Sequence, residues 1–212
     1  MIPSLLLLMA AAAPSPEPGF VPLFDGKTLD GWYFVERKGD SYRVEDGKLV
    51  CPAGSTGNLY TKKEYSNFVL RFEFLIGPDA NSGIAIRAPG GSGRASMEGL
   101  EIQIIDHQGP LYGKRIPPLR PEQLHGAVYD LIPARTGYLK VGEWNRQEIT
   151  AGGRRIRVVL NGVILLDTSL DIIREPEVLE KHPGLRRTTG HIGLLGHTSR
   201  LEFRNLWIKE LP

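Results

Sequence analysis

Two neighbouring segments of the chain carry residue types that can bind polar ligands and transfer protons. Residues 83–87 and 100–107 both alternate in the manner of a β-strand, in which successive side chains point to opposite faces of a sheet. One face of the first segment would hold a glycine, an alanine and Arg87, and one face of the second would hold Glu101 and Gln103. The small residues leave room for a ligand, and the polar ones hydrogen-bond to sugars or carboxylates. The pattern predicts a polar, concave ligand surface; an ordinary solvated sheet face is the alternative.

Two long loops adjoin these segments. Residues 88–98 form a glycine-rich loop between them, without the glycine spacing or the following helix of a nucleotide-binding loop. We expect this loop to form a rim or lid of the surface. Residues 108–126 leave the strand that carries Glu101 and lead to Tyr129. This second loop could bring further polar side chains over the same face, namely His107, Tyr112, Lys114 and His125.

Turn dipeptides divide the chain from residue 20 onward into short runs with a period of two. Asp46-Gly47 and Asn161-Gly162 separate runs that predict hairpins over residues 41–51 and 156–167. A helical turn is expected only within residues 170–187. About ten short strands with almost no helix predict an all-β fold of two packed antiparallel sheets. The other predicted strands cover residues 68–75, 83–87, 100–106, 127–131, 144–151 and 201–209.

Composition limits the classes of protein to consider. The 212 residues include 25 glycines and 16 prolines and are 41% hydrophobic, which is typical of a single turn-rich globular domain. A formal net charge of +2 gives no indication of a nucleic-acid partner. The single cysteine, Cys51, rules out an internal disulfide and gives no thiolate set for zinc.

The N-terminal residues predict export. Residues 1–13 are apolar but too few to span a bilayer, and a proline-containing spacer follows them. This pattern resembles a secretory leader. We therefore expect a signal peptide and spacer over residues 1–18 and a β-sandwich domain over residues 19–212. The mature chain is expected to be soluble, secreted or periplasmic, with no stable membrane anchor.

A series of short motifs lies in order along nearly the whole mature chain, at residues 20–32, 81–84 with Arg87, 101–106, 125–130, 142–145, 161–162, 190–197 and 203–206. Together these motifs resemble the 3-keto-disaccharide hydrolase domain family, which is similar in fold to the concanavalin A-like lectins and glucanases. The chain departs from the usual family pattern at two positions, because Leu195 stands where the family usually carries glutamine and Thr198 where it carries glycine.

The resemblance implies a two-sheet antiparallel jelly-roll sandwich and a secreted enzyme that cleaves 3-keto-glycosides. A ketone at carbon 3 of a sugar acidifies the hydrogen on carbon 2. A base can then remove that proton, and the glycosidic oxygen on carbon 1 leaves by elimination. Hydration of the resulting enone completes a net hydrolysis. Such a site needs a general base, a group that stabilises the enolate oxygen, and an acid for the leaving group.

Residues of the predicted surface could supply these roles. His107 or His125 could be the base, Arg87 the enolate stabiliser, and Glu101 or Asp106 the acid or an orienting partner. No cofactor is certain, but a divalent metal held by Glu101, Asp106 and a histidine could replace Arg87 as the electrophile. Contacts to the carbohydrate substrate are expected from Ser82, Gln103, Tyr112, Lys114, Tyr129 and His197.

Several of these residues have structural alternatives. Arg87 and Glu101 could form a cross-strand ion pair, and Asp106 could accept hydrogen bonds from turn amides. The histidines have such alternatives too: His125 as a loop-shaping residue, His182 as a solvent-exposed loop residue and His191 as a structural residue on a short strand.

Two other functions use the same surface. A retaining glycosidase needs two carboxylates about 5–5.5 Å apart, and the strand that carries Glu101 lacks the Glu-x-Asp-x-x-Glu arrangement that would supply them. A non-catalytic, lectin-like carbohydrate-binding module would use Arg87, Glu101, Gln103 and Tyr129 as hydrogen-bonding groups and would need no base.

Overall fold

The computed structural model describes residues 17–38, 41–91 and 93–212. Thirteen strands, two short α-helices and three 3-10 helices lie within these ranges. The strands are β1 (Val21–Pro22), β2 (Trp32–Lys38), β3 (Arg43–Glu45), β4 (Lys48–Cys51), β5 (Thr56–Tyr65), β6 (Phe68–Ile76), β7 (Asn81–Ala88), β8 (Leu100–Ile105), β9 (Trp144–Gly152), β10 (Arg155–Leu160), β11 (Val163–Ser169), β12 (Gly190–Leu195) and β13 (Leu201–Glu210). The α-helices are α1 (Ala95–Glu98) and α2 (Pro176–Lys181), and the 3-10 helices are Pro121–Gln123, Leu170–Ile172 and Pro183–Arg186.

The strands form two antiparallel sheets. The larger, eight-stranded sheet has the order β11-β10-β9-β6-β13-β4-β3, with β1 paired to β13, and the smaller sheet has the order β2-β5-β12-β7-β8. The all-β, two-sheet antiparallel sandwich predicted from the sequence is confirmed. Both predicted hairpins are present, as β3–β4 and β10–β11.

The core lies between the two sheets. Residues of β6 alternate strictly between buried and half-buried positions, so that Phe72 and Phe74 pack inward. Ile84 of β7 and Ile102 of β8 face them from the smaller sheet, and all four side chains are at most 1% exposed. This interior is the rigid support for whatever the outer face of the smaller sheet presents to solvent.

The strand prediction was wrong for residues 127–131 and missed the two-residue β1 as well as the longer β2 and β5. The run over residues 127–131 forms only isolated bridges, of Val128 with Ile102 and Ile132. Strands β2 and β5 were not predicted, because a residue with positive φ, Glu36, interrupts the period of the first. The second carries three consecutive exposed charged residues, at positions 62–64. Within residues 170–187, where one helical turn was expected, the chain forms α2 and two of the 3-10 helices.

One histidine lies inside the sandwich. His125 is 2% exposed and stacks on Phe74, with ring centroids 5.8 Å apart and ring planes 27° apart. Neither of its ring nitrogens has a hydrogen-bond partner among the described residues. Burial, and to a smaller extent the nearby charge of His107, lower the pKa of the imidazole from 6.5 to about 3 against an opposing contribution from the Gln147 side chain. The ring is therefore neutral in the folded protein over the physiological pH range.

We expect His125 to make folding stability fall in mild acid. Between pH 6.5 and about 3 the unfolded chain binds a proton at this residue and the folded chain does not. The free energy of unfolding should therefore fall by about 1.4 kcal/mol per pH unit from this residue alone as the pH drops from 6 to 4. Urea unfolding at pH 7, 6, 5 and 4 would measure the slope. His125→Phe should lose this part of the slope, whereas the matched variant of an exposed histidine, His197→Phe, should keep it. Parallel pH curves for wild type and His125→Phe would contradict the assignment.

Candidate functional site

The outer face of the smaller sheet is organised by the register of its central strands. Antiparallel pairing of β7 with β8 sets Gly83 beside Gln103 and Ala85 beside Glu101. On the other side of β7, Leu195 of β12 lies beside Gly83. These residues form a floor in which glycine and alanine separate the polar side chains of β8 from the rest of the sheet. The prediction that Glu101 and Gln103 share a face with Gly83 and Ala85 is confirmed.

Gly83 makes space for the carboxyl group of Glu101. A Cβ atom at position 83 would lie 2.4 Å from Glu101 Oε1 and 2.8 Å from its Cγ. Real Cβ atoms do not come this close to other heavy atoms, so the Glu101 side chain folds over a position that only glycine can occupy without displacing it.

A cleft of about 220 Å³ lies on this floor. Its walls come from the glycine-rich loop, from the segment after β12 and from Tyr129, which lies beside β8. Most lining residues carry hydrogen-bonding groups, and the cleft opens to solvent. The lining residues are Glu36, Asn58, Asn81, Gly93, Arg94, Ala95, Ser96, Glu101, Gln103, Tyr129, Leu195, Gly196 and His197.

Glu101 is the titratable group of the cleft best suited to proton transfer. Burial raises the pKa of its carboxyl group from 4.5 to about 7, opposed by the positive charge of Arg94 and assisted by the negative charge of Asp130. A carboxyl group with a pKa near the working pH can both accept and return a proton.

Gln103 and Tyr129 flank this carboxyl group. Gln103 Oε1 accepts a hydrogen bond of 3.1 Å from the Ile104 amide, which leaves its side-chain N–H groups as donors for a ligand. The Tyr129 hydroxyl accepts a 3.4 Å hydrogen bond from Gln123 Nε2. Burial, Asp130 and Glu101 all raise the pKa of Tyr129, so the phenol keeps its proton at neutral pH.

His197 lies at the opposite end of the cleft, just beyond β12. It is exposed and forms an isolated bridge with Thr56. The next residue, Thr198, has a φ of +59°. This left-handed conformation favours glycine, the residue that the family usually carries there. The chain path after His197 therefore keeps the geometry of a glycine turn although a threonine occupies it.

The glycine-rich loop forms a wall of the cleft, as predicted. This loop contributes Arg94 to the cleft. Arg94 was not predicted as a site residue, although it is the one positively charged residue of the loop. Glu36 and Asn58 were also missed, because they belong to β2 and β5, which were not predicted. Asn81, which also lines the cleft, could have been found only from its place in the family motif at residues 81–84.

Arg87 does not lie on the cleft face, so its predicted placement was wrong. Its φ of +53° breaks the alternation of β7, and the pairing of β12 with β7 is irregular beside it. The side chain is fully buried, and its guanidinium donates to the carbonyl oxygens of Gly153 and Arg187. Within the described residues it forms no ion pair with Glu101, which was the structural alternative.

Ser82 also faces away from the cleft. It is 1% exposed, and its hydroxyl donates a 2.7 Å hydrogen bond to the carbonyl oxygen of Leu195. Because Ser82 precedes Gly83 on the strand, it points to the opposite face. This hydrogen bond joins β7 to β12 on the face of the sheet opposite the cleft. The prediction that Ser82 lines the cleft was wrong.

The end of β8 leads away from the cleft. Asp106 accepts hydrogen bonds from the amides of Asp79 at 3.0 Å and of Gln108 and Gly109 at 3.2 Å, as its structural alternative proposed. His107 is half-buried beside a separate pocket of about 90 Å³, and burial lowers its pKa. His125 lies in the core, as described above. The expected meeting of these three side chains over the polar face therefore does not occur.

The metal-ligand set suggested by the sequence is not assembled either. Glu101 lies in the cleft, whereas the carboxylate oxygens of Asp106 are bonded to turn amides elsewhere. Across the described ranges, no three His, Cys, Asp or Glu side chains converge in a way that would hold a metal ion.

Tyr112 and Lys114 belong to the loop over residues 108–126, and neither lines the cleft. Lys114 is exposed and Tyr112 is half-buried. A 2.7 Å hydrogen bond from the Leu111 amide to Asp79 Oδ1 holds the loop at the end of β8, away from the polar face. Of the residues selected from the sequence, the structure brings Glu101, Gln103, Tyr129 and His197 together.

The fold is that of a lectin-like β-sandwich. A carbohydrate-binding module of Bacillus subtilis shares the fold with a TM-score of 0.52 and 12% identity, covering 85% of this chain and 96% of its own. The chain belongs to the family of the 3-keto-alpha-glucoside-1,2-lyase-like domain, whose pattern matches residues 19–209.

Several known proteins are similar to this chain over nearly its full length. A 3-keto-disaccharide hydrolase of Bacteroides thetaiotaomicron is 25% identical over 233 aligned positions, which cover 91% of this chain and 79% of that protein. Two crystal structures from Parabacteroides distasonis, each described as a "putative glycosyl hydrolase", are also similar. The first has a TM-score of 0.74 and 28% identity, covering 91% of this chain and 99% of its own. The second has a TM-score of 0.75 and 26% identity, covering 92% and 94%.

Among the described residues, no helix has both the length and the apolar character needed to cross a membrane.

The contact between Gly83 and Glu101 can be tested directly. Gly83→Ala should push the Glu101 carboxyl group out of its buried position, because the new methyl group would overlap its Cγ, Cδ and Oε1 atoms. We expect the pKa of Glu101 to fall from about 7 toward 4.5 and the free energy of unfolding to drop by about 1–3 kcal/mol. Carbon-detected NMR titration of the carboxyl group and urea unfolding would measure the two effects. Gly91→Ala is the matched control, since a Cβ there meets nothing within 4 Å. An unchanged titration of Glu101 in Gly83→Ala would contradict this account of the floor.

Proposed function

We propose that this chain cleaves 3-keto-glycosides by elimination followed by hydration, with Glu101 as the group that moves the proton. The observation that supports this most directly is the half-buried carboxyl group of Glu101, with a pKa of about 7, in a polar cleft. Membership in the 3-keto-alpha-glucoside-1,2-lyase-like family supports the substrate class. The name of the similar 3-keto-disaccharide hydrolase agrees with it.

In the proposed reaction, the Glu101 carboxylate removes the proton from carbon 2 of the oxidised sugar. The electron pair of that C–H bond moves toward the ketone at carbon 3, and an enolate forms. The enolate then collapses, the bond between carbon 1 and the glycosidic oxygen breaks, and an enone remains. Water adds its hydroxyl to carbon 1, and protonated Glu101 returns a proton to carbon 2. The net result is hydrolysis, and Glu101 ends in the state in which it began.

The enolate stabiliser differs from the one expected from the sequence. Arg87 is bonded to backbone carbonyl groups outside the cleft, whereas Arg94 lines the cleft and acts electrostatically on Glu101. We assign the stabilisation of the enolate oxygen to Arg94. A fixed positive charge near the developing negative charge lowers the barrier of such a step.

The leaving oxygen needs a proton, and Tyr129 is the proposed donor. When water later adds its hydroxyl to carbon 1, its other proton returns to the Tyr129 phenolate, so that Tyr129 also ends in its starting state. Its phenol is protonated at neutral pH and lines the cleft together with Glu101. The free N–H groups of Gln103 and the imidazole of His197 are left to bind sugar hydroxyl groups at either end of the cleft.

We expect Glu101→Gln to lower kcat on a 3-keto-glycoside by about 10²–10⁴-fold, because a positioned general base contributes that much. The variant keeps the shape of the side chain, so binding of the sugar should change little. Purified protein would be incubated with 3-keto-trehalose, release of 3-keto-glucose would be followed, and binding would be measured by calorimetry. The rate of the wild type should rise with pH through about 7, because only the ionised carboxylate accepts the proton.

The matched control is Glu98→Gln, which changes an exposed glutamate on α1 that does not line the cleft. It should keep wild-type turnover. If Glu101→Gln retains turnover, the assigned base is wrong. If the wild type binds the keto-sugar but releases no product, the lectin-like alternative explains the cleft better. Loss of turnover on addition of EDTA would indicate that a divalent metal, and not Arg94, stabilises the enolate.

Export is a second part of the proposal. The apolar leader and its spacer, residues 1–18, lie almost entirely outside the described residues. We propose that the chain is exported and that the apolar leader is removed. N-terminal sequencing of the protein recovered from a periplasmic or culture fraction should begin close to Ala13, and recovery of the intact N-terminus from the cytoplasm would contradict export.

A further inference from the structure

The wall of the cleft is held from behind by a segment of the chain that does not itself line the cleft. This segment, residues 182–187, contains the third 3-10 helix and follows α2. Its first residue, His182, was expected to be exposed to solvent, yet it is 2% exposed. His182 Nδ1 lies 3.0 Å from the carbonyl oxygen of Ser96, and this contact is buried. Because a carbonyl oxygen can only accept, Nδ1 carries the proton and donates it.

Ser96 belongs to the wall itself. It lies in α1, and its neighbours Ala95 and Arg94 line the cleft with it. With four residues, α1 is a single turn, and such a turn is not stable in isolation. The position of the wall must therefore come from tertiary contacts, of which the His182 bond is one.

Backbone packing adds a second contact between the segment and the wall. A Cβ atom at Gly184 would lie 2.1 Å from the carbonyl oxygen and 2.6 Å from the nitrogen of Gly99, the residue that ends α1. Gly184 therefore allows the two segments to touch backbone to backbone. The segment and the end of α1 are therefore in direct backbone contact.

The far end of the segment is anchored to both sheets. Arg187 Nε donates to the carbonyl oxygen of Arg87 at 2.9 Å, and Arg87 donates in return to the carbonyl oxygen of Arg187 at 3.4 Å. Arg87 also donates to Gly153, and Arg154 donates to Leu185, so the turn between β9 and β10 of the larger sheet holds the segment too. The buried arginine expected in the cleft thus belongs to the support of the wall.

We propose that His182 is a positioning residue for the cleft: through its hydrogen bond to Ser96 it fixes the wall that presents Arg94 to Glu101. The consequence for the reaction rests on the proposed function, in which Arg94 stabilises the enolate. The consequence for the resting protein does not, because Arg94 acts on the carboxyl group of Glu101 whether or not a substrate is present.

Other charged and titratable groups around Glu101 stay in place when the wall moves. They come from the remaining elements around the cleft and are Glu36 of β2, Tyr60 of β5, Tyr129 and Asp130 of the segment after the first 3-10 helix, and His197 beyond β12. Glu98 moves with α1 itself. A change in the titration of Glu101 that matches the one caused by removing Arg94 would therefore report on Arg94.

The test is a double-mutant cycle with a readout that needs no substrate. The pKa of the Glu101 carboxyl group would be measured by NMR in wild type, His182→Leu, Arg94→Met and the double variant. We expect His182→Leu and Arg94→Met each to raise the pKa, and the double variant to raise it no further than Arg94→Met does. His182→Asn places an N–H donor where Nδ1 was and should restore the wild-type value. If His182→Leu does not fold, His182→Ala, which also lacks a donor, takes its place in the cycle.

Turnover gives the second readout. With a 3-keto-glycoside, His182→Leu should lower kcat by about tenfold with little change in KM, the effect of one lost buried hydrogen bond expressed as a rate. In the Arg94→Met background it should have almost no further effect. Additive losses, or a Glu101 titration in His182→Leu that matches wild type, would overturn the proposal. If no 3-keto-glycoside is turned over even by wild type, the proposed function fails, and the titration arm still decides the role of His182.

Discussion

The close approach of the Glu101 side chain to Gly83 is the constraint on which the candidate site depends. A carboxyl group can be buried on a sheet face only if its cross-strand neighbours give it space, and the register of β7 with β8 supplies a glycine and an alanine there. The same register sets Gln103 next to that glycine. A slip of one residue would exchange the two faces of β8 and move Glu101 into the core. Pairing between strands thus fixes the chemistry of the cleft before any loop contributes to it.

Burial and charge act on Glu101 in opposite directions. Removal from water favours the protonated carboxyl group, and the positive charge of Arg94 favours the carboxylate. The balance places the pKa at about 7, where both forms are available. The floor that sets the burial is made of paired strands, whereas the charge comes from a loop and a single helical turn. The paired strands, which are rigid by themselves, set the burial of Glu101. The loop and the helical turn, which need support from other segments, set the position of the positive charge.

The alternation of apolar and polar residues was enough to predict the sandwich and the cleft positions of β8, because a period of two directly assigns faces in a strand. It failed at Arg87, where one residue with positive φ turns the side chain out of the pattern. It failed again for His107 and His125, since residues that follow a strand have no period from which to infer direction. Glu36 and Asn58 reach the cleft through the order of strands in the sheet, and a single sequence does not contain that order.

The strand order also bears on how a glycosidic bond could be cleaved here. Glu36 is a second carboxylate at the cleft, and a retaining glycosidase would need it about 5–5.5 Å from Glu101. Strand β2 is four strand spacings from β8 in the smaller sheet, which at about 4.8 Å per spacing separates the two backbones by roughly 19 Å. Two glutamate side chains do not bridge that distance to within 5.5 Å. A cleft with one well-placed carboxyl group is compatible with the proposed reaction, in which the same group removes and later returns a proton.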